Sequence, residues 1–139
     1  MKKNQNNILI VDDEPEIRGL MQEILTEEGY LTFAVKNAKE AQEMLQLLSG
    51  TSHDVISSIC VTTSTQQLVD YDLAKVYFRT FTSEEITHYI NTYQPFDKAG
   101  AYGIQEWIGH VALQKLEGSY NTVMGLPTQK LYDLLHQLQ

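Results

Sequence analysis

Apolar and polar positions follow two rhythms along this chain, and the switch between them divides it. Residues 8–12 are a short apolar run ending in acids, the pattern of a buried parallel strand whose C-terminal end faces a site. Pro15 suits the first turn of the helix that follows, where its missing N–H has no intrahelical partner to lose. Ile17, Leu20, Met21, Ile24 and Leu25 recur at helical spacing, and Gly29 stops the helix. Leu31 to Val35 predicts a second strand. Asn37 caps a second helix with Glu40 completing a capping-box pattern; Ala41, Met44, Leu45 and Leu48 form its apolar face, and Gly50 ends it. Strand, helix, strand, helix is the order of an open α/β sheet.

The rhythm then shortens. Asp54–Thr63 and Gln67–Thr80 are β-rich stretches with only a few residues between them, too few for a crossover helix, so they predict an antiparallel hairpin. Thr82-Ser83-Glu84-Glu85 opens a helix striped by Ile86, Tyr89, Ile90 and Tyr93 and ended by Pro95. Residues 98–106 hold a short helical turn. Trp107 to Leu116 reads as a strand, Gly118 as a turn and Tyr120 to Met124 as a short extended piece. A last helix starts at Pro127, with Leu131, Leu134, Leu135 and Leu138 on one face. The fold class expected is α/β: a three-layer sandwich with a mixed, largely parallel sheet plus an antiparallel hairpin, in a single domain over residues 1–139.

Composition narrows the function. With 42% hydrophobic and 20% charged residues the chain can bury a core and is not of disordered type. A net charge of −8 repels nucleic-acid phosphate and anionic lipid, so neither nucleic acid nor membrane is an expected partner. The lone Cys60 sits in an apolar run, reads as a buried small hydrophobe, and suits a reducing, cytoplasmic setting. His53, His88, His110 and His136 fall on different elements without metal-ligand spacing and read as surface or packing residues.

Ile8-Leu9-Ile10-Val11-Asp12-Asp13-Glu14-Pro15 carries a first piece of chemistry. Two carboxylates at the end of a first strand sit where α/β sheets place ligands, and hard Mg²⁺ prefers such oxygens. Residues 1–36 resemble a response-regulator receiver, a family with a flavodoxin-like fold. That resemblance implies an acidic pair binding Mg²⁺ and a third Asp accepting a phosphoryl group. The matching third-strand position is near Ser58, and no carboxylate occurs between Asp54 and Asp70. Asp12 and Asp13 are therefore expected to give at most a weak Mg²⁺ site.

A longer set of motif words runs through residues 37–138: His53-Asp54-Val55-Ile56, Val76-Tyr77-Phe78-Arg79, Asp97-Lys98-Ala99-Gly100-Ala101-Tyr102-Gly103-Ile104-Gln105, Glu117-Gly118-Ser119-Tyr120 and Gly125-Leu126-Pro127. In that order and spacing they resemble a Maf-type nucleotide pyrophosphatase. The resemblance implies hydrolysis of nucleoside triphosphates to monophosphate and pyrophosphate with a divalent metal. It carries Lys98 and Gln105 over as nucleotide-binding residues, with Arg79 as a weaker third. A lysine suits phosphate as a point charge, and an amide suits a base edge or phosphate.

The family's N-terminal Ser-Pro-Arg-Arg loop, Asp-Thr dipeptide and Gly-Lys-Pro segment do not occur in this sequence; Arg18 is the one arginine near the first of them. Two interrupted signatures joined near Asn37 are accounted for by an engineered or recombined chimera with no native catalytic function and no catalytic residues. The alternatives are a Maf-like nucleotide-binding protein and a degenerate receiver acting as an interaction module. An apolar patch left where missing segments once packed predicts a homodimer.

Overall fold

The computed structural model of the chain describes residues 7–10 and 15–138. Strands β1 (Asn7–Ile10) and β2 (Leu31–Ala34) lie parallel, Asn7 opposite Leu31 and Ile10 opposite Ala34, with helix α1 (Pro15–Glu27) as the crossover between them. Helix α2 (Ala38–Leu48) begins where the sequence places it. The Asn37 side chain accepts the Glu40 N–H at 3.1 Å, and the Glu40 carboxylate accepts the Lys36 N–H at 2.6 Å. Such caps satisfy N–H groups that have no partner inside the helix.

Strands β3 (Ser52–Thr62) and β4 (Gln67–Phe78) form a long hairpin in register from Ser52 opposite Tyr77 to Thr62 opposite Gln67. Helix α3 (Ser83–Tyr93) follows with a full capping box: Thr82 takes the Glu85 N–H, and Glu85 takes the Thr82 N–H. A single 3-10 turn spans Ala99–Ala101. Helix α4 (Trp107–Ala112), strand β5 (Leu113–Glu117) and helices α5 (Tyr120–Met124) and α6 (Thr128–His136) complete the order.

The described strands form two sheets, parallel β1–β2 and antiparallel β3–β4–β5. The chain is mixed α/β, and the expected largely parallel sheet is corrected. Among the described strands only β1 and β2 pair in parallel; the long connection from β4 returns β5 antiparallel to it, and the one through α2 leads from β2 into the other sheet. Two local expectations are also corrected. Trp107–Leu116 is a helix that turns into a strand, and Tyr120–Met124 is a one-turn helix after Ser119.

The core sits on one face of the hairpin. Val76 and Phe78 of β4 meet Ala41, Met44 and Leu45 of α2 and Ile86, Tyr89 and Ile90 of α3, and Ala101, Tyr102, Ile104 and Ile108 close the same cluster. Each large apolar side chain so buried stabilises the fold by about 1.5–3 kcal/mol. Farther along the hairpin, polar inward groups are satisfied by the last helices. The Thr122 hydroxyl donates to Asp72 at 2.6 Å, Ser57 donates to the Thr122 carbonyl at 2.7 Å, and Lys130 lies 3.8 Å from Asp70. The opposite face is solvent-facing and carries Ile56, Val69, Tyr71 and Leu73. Cys60 is on that face too and is exposed, against the expectation of burial, because strand alternation turns its neighbour Ile59 inward. No helix among the described residues is long and apolar enough to cross a membrane.

Candidate functional site

Pro95 follows the end of α3, and the segment after it packs Ala101, Tyr102 and Ile104 into the core. Gly100 has φ +70° and Ala101 φ +57°, two consecutive left-handed residues. A left-handed residue with a side chain costs roughly 1–2 kcal/mol, and such strain persists where surrounding contacts over-determine it. A Cβ at Gly100 would stand 2.9 Å from the Tyr102 ring, so this turn needs glycine for both conformation and space. Ala101, with no exposed surface, donates its N–H to the Lys98 carbonyl at 3.0 Å.

Two tyrosines anchor the loop. The Tyr89 hydroxyl accepts the Gly103 N–H at 2.9 Å and donates to Glu106. Burial pushes this phenol well above its usual range, and the Glu106 carboxylate adds to the rise. On the other side the Tyr102 hydroxyl shares a 2.7 Å hydrogen bond with His53 Nε2 across a stack of edge-on rings that includes Phe78. Burial also raises Tyr102. It lowers His53 to about 4, with Asp54 pulling the other way, so the imidazole is neutral near pH 7.

Lys98 stands at the rim of this loop, its Nζ 3.4 Å from both Asp97 and Glu106. Partial burial pulls its ammonium down, but the two carboxylates outweigh that and leave it above the ordinary lysine value. Beside it opens a cleft of about 510 Å³ between Val35 and Lys36 after β2, Tyr93 and Gln94 at the end of α3, and Phe96, Asp97 and Lys98. Tyr93 is stacked on Tyr89 with ring centroids 5.1 Å apart. Two lysines and two aromatic rings thus share one opening, a set that suits a phosphate-bearing ligand with a flat ring.

The sequence-predicted residues separate. Lys98 lines the cleft, and Gln105, exposed, lies farther along the same loop. Arg79 does not join them. Its guanidinium makes a bidentate pair with Glu85 at 2.7 and 2.9 Å and donates to the carbonyls of Thr80 and Val111, tying the end of β4 to α3 and α4. Asp12 and Asp13 lie outside the described residues. Sequence reasoning missed Lys36, Tyr89, Glu106 and His53. Tyr89 and His53 reach their partners across 14 and 49 residues, and no local pattern announces such contacts.

A family model described as Maf-like protein matches residues 34–138. The chain belongs to that family. This Maf-like chain is 50% identical over 103 residues to a dTTP/UTP pyrophosphatase of Flavobacterium johnsoniae, covering 74% of the chain and 53% of the relative. It is 40% identical to the dTTP/UTP pyrophosphatase of Christiangramia forsetii over 134 residues, 96% of the chain and 64% of the relative. To that of Bacteroides fragilis it is 47% identical over 115 residues, 83% and 60% of the two lengths. The Maf-like chain thus spans between half and two thirds of the length of these curated relatives.

The chimera reading is overturned. An alignment taking in 134 of the 139 residues runs through β1, α1 and β2, so one family accounts for the stretch that resembled a receiver. An apolar run, two acids and a helix are too general a pattern to separate the two families. The expectation of a chain without native function falls with it, since the relatives carry an enzyme's name. A resident metal is not what the described residues offer: they contain no group of three or more His, Cys, Asp or Glu side chains placed for one. Asp97, which lines the cleft, and Glu106 behind it both face Lys98.

Proposed function

We propose that this chain is a nucleoside triphosphate pyrophosphatase, or the nucleotide-gripping portion of one, and takes a pyrimidine nucleotide such as dTTP or UTP in the cleft beside Lys98. The observation that carries the proposal is the placement of Lys98 on a strained, doubly anchored loop at the mouth of an aromatic-walled cleft. The relatives' names point to the same ligand class. Lys98 and Lys36 would meet phosphate oxygens, and Tyr93 and Phe96 would pack against the base. Gln105 serves as a second contact from the same loop. In the reaction proposed, water adds across the bond between the α- and β-phosphates, giving the monophosphate and pyrophosphate.

Mg²⁺ enters in this reading with the triphosphate it neutralises, because Mg²⁺ is commonly held through substrate phosphates and retained waters. We place the chain in the cytoplasm as a single domain that pairs as a homodimer through the outer face of the hairpin. Calorimetric titration with dTTP and Mg²⁺, with pyrophosphate release followed in the same samples, tests the central claim. Binding that weakens about tenfold or more in Lys98→Ala is expected, the size of one lost charge-assisted contact. Binding indifferent to Lys98, or no binding at all, refutes it.

A further inference from the structure

The Gly100–Ala101 turn cannot hold itself. Two successive left-handed residues, one of them alanine, relax unless something outside the turn fixes their geometry. The space over Gly100 is filled first by the Tyr102 ring, with Leu48 next to it. That ring is fixed in turn by its hydroxyl, 2.7 Å from His53 Nε2, and by edge-on packing against Phe78, ring centroids 4.9 Å apart. His53 is the second residue of strand β3, paired opposite Val76, so its backbone position is set by the sheet. Its other ring nitrogen, Nδ1, is buried without a hydrogen-bond partner among the described residues. A buried polar atom left unpaired is a cost that core packing alone would not retain; an apolar ring of similar size would fill the same volume. What the imidazole adds over such a ring is the bond to Tyr102.

We infer that His53 is a positioning residue for nucleotide binding: it latches Tyr102, and through Tyr102 holds the strained turn that sets where Lys98 stands. The chain of contacts runs from strand β3 to the Tyr102 hydroxyl, from its ring to Gly100, and from the Ala101 N–H to the Lys98 carbonyl. His53 itself does not line the cleft. A neutral imidazole suits this role, because the ring is kept uncharged by burial. The inference rests on the cleft being a nucleotide site.

Two conservative substitutions separate the latch from mere packing. His53→Gln puts an amide near the place of Nε2, where Tyr102 waits. His53→Asn puts it near Nδ1, where no partner was. Both change the ring's volume in the same direction, so a packing role would make them similar. The latch predicts that the Asn variant loses about five- to tenfold in dTTP affinity, the size of one lost hydrogen bond, while the Gln variant keeps most of it. Tyr102→Phe should lose as much as His53→Asn, and the double variant no more than either alone. Hydrogen exchange of the Ala101 amide supplies a readout that needs no nucleotide: faster in His53→Asn and Tyr102→Phe, near parental in His53→Gln. Equal exchange and equal affinity in the Asn and Gln variants would overturn the latch. If the parent binds no nucleotide, the proposed function fails, and the exchange pattern alone still decides whether His53 holds the turn.

Discussion

His53 and Glu85 titrate in adjoining windows, and each ties stability to pH with a definite sign. His53 falls from 6.5 to about 4 on folding. Between those values the unfolded chain binds a proton that the folded chain refuses, so stability is full above pH 6.5 and declines as pH drops toward 4. The shift corresponds to about 3 kcal/mol before solvent screening, which trims it because the ring is not fully enclosed. Glu85 is lowered from 4.5 to about 2, first by its hydrogen bond from Arg79 and then by the Thr82 N–H. Its contribution is present above pH 4.5 and is lost between 4.5 and 2. Urea midpoints measured across pH 7 to 2 should therefore flatten between 6.5 and 4.5 in His53→Gln, while the loss below pH 4.5 stays. A slope between 6.5 and 4 that is unchanged in that variant assigns it to other groups. None of this was legible from residue type. Arg79 looks like a phosphate ligand in sequence, and only the bend between β4 and α3 reveals Glu85 as its partner.

At the scale of elements, what was legible is what neighbours in sequence decide. Asn37 with Glu40, and Thr82 with Glu85, predicted two helix starts that the fold confirms through hydrogen bonds. Four residues between β3 and β4 forced the hairpin. The failures lie where distant contacts decide. Ile108 and Val111 favour a strand by their branching, yet residues 107–112 are helical, because Gly109 lets α4 cross the backbone at Ile104. A Cβ there would sit 1.8 Å from the Ile104 carbonyl oxygen, and the atom in its way is backbone. Gly109→Ala, a change that favours an isolated helix, should accordingly destabilise this one by more than ~3 kcal/mol, beyond the usual cost of overpacking. An alanine variant that melts with the parent would show that α4 and the Ile104 turn do not meet so closely.

For the whole molecule, the hairpin presents two unlike faces. Its inner face is covered by helices along its length, while Ile56, Val69, Tyr71 and Leu73 remain exposed outside. Among the described residues, β3 is an edge strand with no neighbour beyond it. An apolar face beside an open edge is self-complementary under a two-fold axis, which is the physical ground for the proposed homodimer. Light scattering over a concentration series should show mass rising toward twice that of one chain, and Ile56→Lys should hold it at one. A mass that never rises removes the dimer.

The hairpin also orders events in time. Its register propagates from a connection of four residues, Thr63–Gln66, a closure on the microsecond scale. The His53–Tyr102 bond must instead wait for a span of 49 residues to be drawn in. That separation predicts that the strained turn forms after the hairpin closes. If a nucleotide binds beside Lys98 as proposed, it grips only the finished molecule, and by mass action it stabilises that state against unfolding.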